Sequence, residues 1–238
     1  MSQQISSIDI VNQLLANMNT MVTSYHPTVA RTGSTIEGLI AGTSCFPGGT
    51  GLWRGERNGG MLPQCFPIHP VMFVAHNFDS QRAYDISSAN NGEAQGQFWQ
   101  RLIGLLRGAN LSPSECFFTN ALMGLKPGSA TGTMPSVAGY KDQCGLFLAR
   151  QVEIVQPRAV IALGVKAEKY VCKLRAHWMA IRHPSDWHFR DLDTRVQRLR
   201  EEGGGIRDFL TGSSIEEQAT AKANAGILRC AQNDKRRG

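Results

Sequence analysis

The 238-residue chain lacks several features that mark whole classes of protein. It contains no run of 18 or more apolar residues, which argues against a membrane-spanning helix. Its first ten residues lack the basic start and apolar stretch of a secretory signal, so we expect a cytoplasmic protein with reduced thiols. Internal repeats are absent, and no Gly-rich phosphate loop follows an apolar segment, which argues against a phosphate-handling hydrolase.

The composition is that of an ordinary globular protein. Hydrophobic residues make up 42% of the chain and charged residues 18%, and the length suits one sizeable α/β domain. The chain has 25 Lys and Arg residues against 19 Asp and Glu residues, a formal net charge of +6. This excess favours a polyanionic partner such as nucleic acid, although charge alone does not identify one.

The chain divides into three parts by composition. Residues 1–70 combine an amphipathic helix, predicted over residues 8–25, with a long segment rich in Gly and Pro. Residues 71–211 form the main α/β domain, on which we expect the first part to pack. Residues 212–238 are polar and small, and we expect a poorly ordered tail there.

Apolar runs and helical segments alternate in the main domain. Four runs without polar alternation predict strands buried on both faces, namely residues 71–75, 116–119, 159–163 and 178–181. Helical spacing separates them, over residues 97–109, 141–156 and 166–174. A charged helix is predicted over residues 191–202, ending at Gly203, Gly204 and Gly205. This order predicts a three-layer αβα sandwich with a four-stranded, mostly parallel central sheet.

Polar residues lie where three of the predicted strands end. Asn77 follows the first strand, Asn120 ends the second and His183 follows the fourth. Ligands of open parallel sheets bind outside the carboxyl ends of the strands, so these side chains are expected to converge there. Each residue also has an ordinary structural interpretation: a strand-end Asn often caps a turn, and a His before Pro is often structural. Gly164, after the third strand, is expected to allow close packing between a helix and a strand.

Three short motifs in this order carry a resemblance to a known family. They are Val-Ala-His-Asn-Phe-Asp at 74–79, Phe-Thr-Asn-Ala at 118–121 followed by Lys126-Pro127, and His183-Pro184-Ser185. Over residues 71–210 the chain thereby resembles the uracil-DNA glycosylase superfamily. The first motif departs from the family pattern, because Ala75 and Phe78 stand where Gly and Pro are usual.

The resemblance also bears on cofactors. One branch of the family holds an iron–sulfur cluster with four cysteines that include a CxxC motif, and this chain has no CxxC motif. We therefore expect no cofactor and no metal. A metal site involving Cys45, Cys65 and Cys144 is an alternative that the sequence leaves open.

The resemblance implies a role for each of the three polar residues. Asn77 would orient the attacking water, although an amide cannot act as a general base. Asp79 is the nearest carboxylate and would substitute if the register shifted by two residues. Asn120 would bind the O4 and N3–H edge of uracil, and His183 would donate a hydrogen bond to O2.

Further residues are expected to contact the base or the DNA. An aromatic side chain should stack on the base, and the candidates are Tyr84, Phe98 and Phe78, although Phe98 also fits a core position. The expected DNA contacts are Ser185, Trp187, Phe189, Arg182 and Arg190, with the two aromatics acting as a wedge or packing a surface loop. The predicted function is excision of uracil or a related deaminated base by a monomer acting on DNA. The alternative is a DNA-binding protein that has kept the fold and lost the chemistry.

Overall fold

The computed structural model describes residues 67–77, 97–122, 139–186 and 192–212. Four strands and four helices alternate along these residues. The strands are β1 (Val71–Asn77), β2 (Cys116–Leu122), β3 (Ala159–Leu163) and β4 (Trp178–Ile181). The helices are α1 (Gln97–Gly108), α2 (Tyr140–Val155), α3 (Val165–Val171) and α4 (Leu192–Thr211). Two short 3₁₀ turns, Pro113–Glu115 and Pro184–Asp186, precede β2 and follow β4.

The four strands form one parallel sheet in the order β2-β1-β3-β4. Every neighbouring pair is parallel, with Phe73 level with Phe118 on one side and with Ile161 on the other. The backbones of β1 and β3 are fully buried along most of their length, as the continuous apolar runs predict. The predicted α/β architecture with a four-stranded sheet is therefore confirmed.

Each face of the sheet carries its own apolar cluster. On one face, Met72 and Val160 pack with residues of α2 and α3 such as Leu148. On the other face, Phe73 and Phe118 stack with ring centroids 5.6 Å apart and pack with residues of α1 and α4. Helices thus cover both faces, which produces the three layers.

Two strands run further than the apolar pattern indicates. The bounds of β3 and β4 are as predicted, whereas β1 continues to Asn77 and β2 continues to Leu122. The prediction that β2 ends at Asn120 is therefore wrong. Asn120 is level with Ala75 inside the parallel ladder. Pairing with β1 overrides the preference of Asn for turns, because strand propensity depends strongly on tertiary context.

The glycine run does not end the last helix. Helix α4 continues through Gly203, Gly204 and Gly205 to Thr211, so the predicted end near Glu202 is wrong. A Cβ atom on Gly203 would lie 2.6 Å from the carbonyl carbon of Gly108 in α1. The two helix backbones cross too closely for any side chain at this point. Packing against α1 therefore retains the helix despite the low helix propensity of Gly.

Several other expectations concern the periphery of the domain. Cys116 and Cys144 are buried free thiols, and the expectation of reduced thiols in the rest of the chain stays a prediction. Within the described residues, no helix is long and apolar enough to cross a membrane. The helix predicted over residues 8–25 and the tail after Gly212 lie outside the described residues.

Candidate active site

The strand order defines a topological switch point between β1 and β3 at the carboxyl edge of the sheet, and this place is called the crevice below. The neighbours β1 and β3 have their other partners, β2 and β4, on opposite sides. In open parallel sheets, ligands bind at such a topological switch point. Asn77 ends β1 and Gly164 directly follows β3, so both border the crevice.

The register sets the relative heights of the predicted site residues. Asn77 is level with Leu122, so Asn120 lies two residues, about 6–7 Å, behind it along the strand direction. On the other side, Leu163 is level with Ile181. The described pairing ends there, and His183 follows β4 by two residues at the same edge of the sheet. The three residues thus lie at or close to one edge of the sheet, and the convergence of their side chains on one pocket stays a prediction.

Asn120 is a buried amide with an unfilled acceptor. Its side chain is 2% exposed, and Oδ1 accepts no hydrogen bond from the part of the chain that the structure describes. Such a buried acceptor costs about 1–3 kcal/mol of folding free energy. An acceptor held at this cost makes Asn120 a candidate for binding a ligand N–H group, and that role stays a prediction.

A hydrogen bond on the opposite face of β2 holds the strand next to Asn120. Thr119 Oγ1 donates to Gln151 Oε1 of α2 at 2.8 Å, and both residues are fully buried. Successive residues of a strand point to opposite faces, so Thr119 faces α2 while Asn120 faces the α1 side. This bond attaches the strand to α2 without using the amide of Asn120.

The ring of His183 has a defined tautomer. The backbone N–H of Ser185 donates to Nδ1 of His183 at 3.1 Å. A nitrogen that accepts an N–H bond cannot carry a proton itself, so the proton of the neutral imidazole is assigned to Nε2. His183 therefore presents a hydrogen-bond donor, and the motif His-Pro-Ser supplies both the ring and the group that orients it.

The end of β3 lies directly against His183. Gly164 has a positive φ of 87°, and a Cβ atom there would lie 2.8 Å from Cβ of His183. A side chain at position 164 would displace the histidine. The expectation of close helix–strand packing at Gly164 is therefore wrong in its partner, because the atoms that approach Gly164 belong to His183 in the turn after β4.

Helix α1 supports the turn that carries His183. The Phe98 ring stacks on the imidazole of His183, with centroids 5.6 Å apart and an interplanar angle of 26°. Arg101, one turn further along the helix, donates from Nη1 to the carbonyl oxygen of Pro184 at 2.7 Å. Phe98 thus lies at the site, and its predicted stacking on a bound base stays a prediction.

A second histidine lies beside Asn77. Burial lowers the pKa of His76, a hydrogen bond with the Asn77 side chain opposes this shift, and Lys166, Lys141 and His183 lower the pKa further. The ring centroid of His76 lies 6.4 Å from that of Tyr170 in α3. Burial raises the pKa of Tyr170 to about 12, so its hydroxyl is protonated at neutral pH. His76 is therefore expected to be neutral at pH 7.

Two of the residues at this edge were not predicted as site residues from the sequence. His76 was counted only as part of the first motif, and Arg101 was not singled out. Arg101 had a readable signal, because a cation at the spacing of Phe98, Leu102 and Leu105 falls on the apolar face of its helix. The partner of Arg101 could not be read in this way, since Pro184 is 83 residues away.

The remaining predicted contacts divide into two groups. Arg182 and Ser185 are exposed beside His183, where they could reach a bound strand. The other residues named above, Phe78, Asp79, Tyr84, Trp187, Phe189, Arg190, Cys45 and Cys65, lie outside the described residues. In the described ranges no group of three His, Cys, Asp or Glu side chains could hold a metal ion.

Comparison with known protein families identifies the family of the chain. The family model described as the uracil DNA glycosylase superfamily matches residues 72–200, more than half of the chain. No curated protein sequence matches the chain significantly. The matched range begins in β1, ends within α4 and contains all three of Asn77, Asn120 and His183. The resemblance inferred from the three motifs is thereby confirmed.

Proposed function

Because the chain belongs to the uracil DNA glycosylase superfamily, we propose that it hydrolyses the N-glycosidic bond of uracil, or of a related deaminated base, in DNA. The observation that carries the proposal is the Ser185–His183 hydrogen bond, which occupies Nδ1 as the acceptor and leaves Nε2 as the donor at the carboxyl edge of the sheet. Departure of the base leaves negative charge on its oxygens. A fixed donor aimed at that oxygen stabilises the transition state.

The other side chains supply recognition and water. The target base must leave the helical stack and enter a shaped pocket, where hydrogen bonds to its polar edge identify it. Asn120 offers a buried acceptor for the N3–H group of uracil. Asn77 orients the attacking water through its carbonyl oxygen, and His76 holds the Asn77 amide through their hydrogen bond.

The DNA duplex lies along the same edge. A net charge of +6 attracts the phosphate backbone, and the exposed Arg182 is placed to meet it. The aromatic residues Trp187 and Phe189 follow the His-Pro-Ser turn in the sequence, where an apolar wedge would hold the distorted duplex open. Within this proposal the protein acts as a monomer.

Release of free uracil from a uracil-containing oligonucleotide tests the proposal. The wild-type protein should release uracil, and His183→Ala should be about 10²- to 10³-fold slower, as expected for losing one transition-state donor. His69→Ala is the matched control, since His69 is exposed and binds Gln156 at the opposite edge. Absence of release from single-stranded and double-stranded DNA across a range of salt concentrations would reject the uracil assignment.

A second function is favoured by one observation, the amide at position 77. Because an amide cannot accept a proton from water, a DNA-binding protein without catalytic activity fits this edge as well. Such a protein would bind DNA with a steep salt dependence and leave no abasic site. Measuring binding and abasic-site formation on the same oligonucleotide separates the two functions.

A further inference from the structure

We propose that Arg101 is a positioning residue for His183, acting through the carbonyl group of Pro184. This inference rests on the proposed function for its kinetic consequences, although the contact itself does not depend on it. Arg101 Nη1 donates to the Pro184 carbonyl oxygen at 2.7 Å in a partly buried position. Pro184 itself is buried, so the bond lies inside the protein where water competes little for it.

The bond matters because of the residue that it holds. Pro184 lies between His183 and Ser185, and the Ser185 N–H group determines which nitrogen of His183 carries the proton. A shift of the Pro184 peptide would move that N–H group relative to Nδ1. Arg101 therefore controls the tautomer and the place of the imidazole together.

Two further contacts leave the turn little freedom. Phe98 packs against one face of the His183 ring, and Gly164 approaches its Cβ atom without any side chain between them. Phe98 and Arg101 are three residues apart, so they project from the same side of α1. Helix α1 thus supports both the His183 ring and the following peptide. Through these contacts it restricts the position of the donor nitrogen, Nε2 of His183.

The positioning role predicts a specific kinetic pattern. Arg101→Gln should lower the single-turnover rate of base release about tenfold to hundredfold, because displacement of a catalytic group by about 1 Å has effects of this size. The affinity for substrate DNA should change less than about twofold, since His183 acts on the departing base. Arg101→Lys should recover part of the rate, because Lys retains a charged donor without the planar fork of Arg.

A double-mutant cycle separates positioning from general stabilisation. In a His183→Ala background, Arg101→Gln should have almost no further effect on the rate, because residues that act as one unit are not additive. Arg107→Gln is the control, since Arg107 is exposed in the last turn of the same helix. If Arg101→Gln lowers the single-turnover rate by the same factor with and without His183, the proposal is overturned. It is also overturned if Arg101→Gln has the same rate as the control Arg107→Gln.

A spectroscopic measurement tests the same contact without any activity. In the wild type, the ¹⁵N chemical shifts of His183 should show a protonated Nε2 and an unprotonated Nδ1 at neutral pH. In Arg101→Gln they should move towards the average of the two tautomers, and in Arg101→Lys they should move less. Chemical shifts that are the same in Arg101→Gln as in the wild type would overturn the proposal. If the shifts change as expected but no uracil is released, that result counts only against the proposed function. If Arg101→Gln does not fold, the single-turnover rate and the chemical shifts of His183 are compared between Arg101→Lys and the wild type instead.

Discussion

The two ends of the candidate site differ in how their polar groups are held. At the β4 end, the imidazole of His183 is contacted by the Ser185 N–H group and the Phe98 ring, and Arg101 binds the next peptide. At the β1–β2 end, the buried Oδ1 atom of Asn120 accepts nothing from the described residues. The β4 end, where His183 is held by several contacts, suits a group that must be in place during bond cleavage. The unfilled end suits a group that is completed by its ligand.

The two ends also use positive charge differently. Arg101, at the β4 end, directs its charge at an internal carbonyl group. At the β1 end, Lys141 and Lys166 begin α2 and α3 and act electrostatically on His76. Positive charge therefore binds a backbone carbonyl group at one end and lowers the pKa of a neighbouring histidine at the other. The following predictions test this comparison.

Asn77→Asp should have the largest effect, at the β1 end. A carboxylate can accept the proton of the attacking water, and general bases contribute about 10²- to 10⁴-fold to rates. We expect base release to become about 10²-fold faster, measured under single-turnover conditions. Asn110→Asp makes the same exchange at an exposed position beyond α1 and should leave the rate unchanged. An unchanged rate in Asn77→Asp would mean that water activation does not depend on this position.

Asn120→Leu should separate stability from recognition. Removing a buried, unfilled acceptor should leave the free energy of unfolding unchanged or raise it by about 1–3 kcal/mol. The preference for uracil over competing bases should fall about 5- to 150-fold, which is the same 1–3 kcal/mol expressed as a ratio of rates. Thr119→Val should instead lower the free energy of unfolding, because it leaves Gln151 Oε1 buried without its donor, and it should leave base discrimination unchanged. Urea unfolding and competition between substrates measure both effects, and destabilisation by Asn120→Leu would contradict the account.

Lys166→Gln should weaken DNA binding through electrostatics alone. Loss of one phosphate contact should reduce the slope of log Kd against log salt concentration by about 1. Lys173→Gln, just beyond the other end of α3, should leave the slope as in the wild type. Titration of a fluorescent oligonucleotide at several salt concentrations gives both slopes. Equal effects of the two substitutions would place the DNA elsewhere.

His76 should produce a small dependence of stability on pH. Its pKa in the folded protein is lowered from the ordinary value of 6.5, mainly by burial, with Lys166, Lys141 and His183 acting in the same direction and Asn77 opposing. As the pH falls below 6.5, the unfolded chain binds the proton first, so the free energy of unfolding decreases until the pH passes the folded pKa. His76→Gln should lose less stability than the wild type between about pH 8 and about pH 5.5 in urea titrations. An equal loss in both proteins would refute this assignment.

Much of the framework was predictable from sequence because it depends on local pattern. Uninterrupted apolar runs indicated all four strands, and the bounds of β3 and β4 agree with the structure. The carboxyl-edge rule then grouped Asn77, Asn120 and His183 before any contact was known. Interactions between distant segments were not predictable, and they include the bond from Arg101 to Pro184 and the approach of Gly164 to His183.

The amino-acid sequence by itself determined the order of strands and helices, the family, and the three polar residues at one edge, because hydrophobic periodicity and short motifs are local properties. Only the tertiary structure decided that Asn120 lies inside β2, that His183 carries its proton on Nε2, and that α4 continues through Gly203. The first and the last depend on a partner far away in the chain, whereas the second depends on the local turn that follows β4. A neighbouring strand, a folded-back N–H group and the backbone of Gly108 supply interactions that local propensity cannot anticipate.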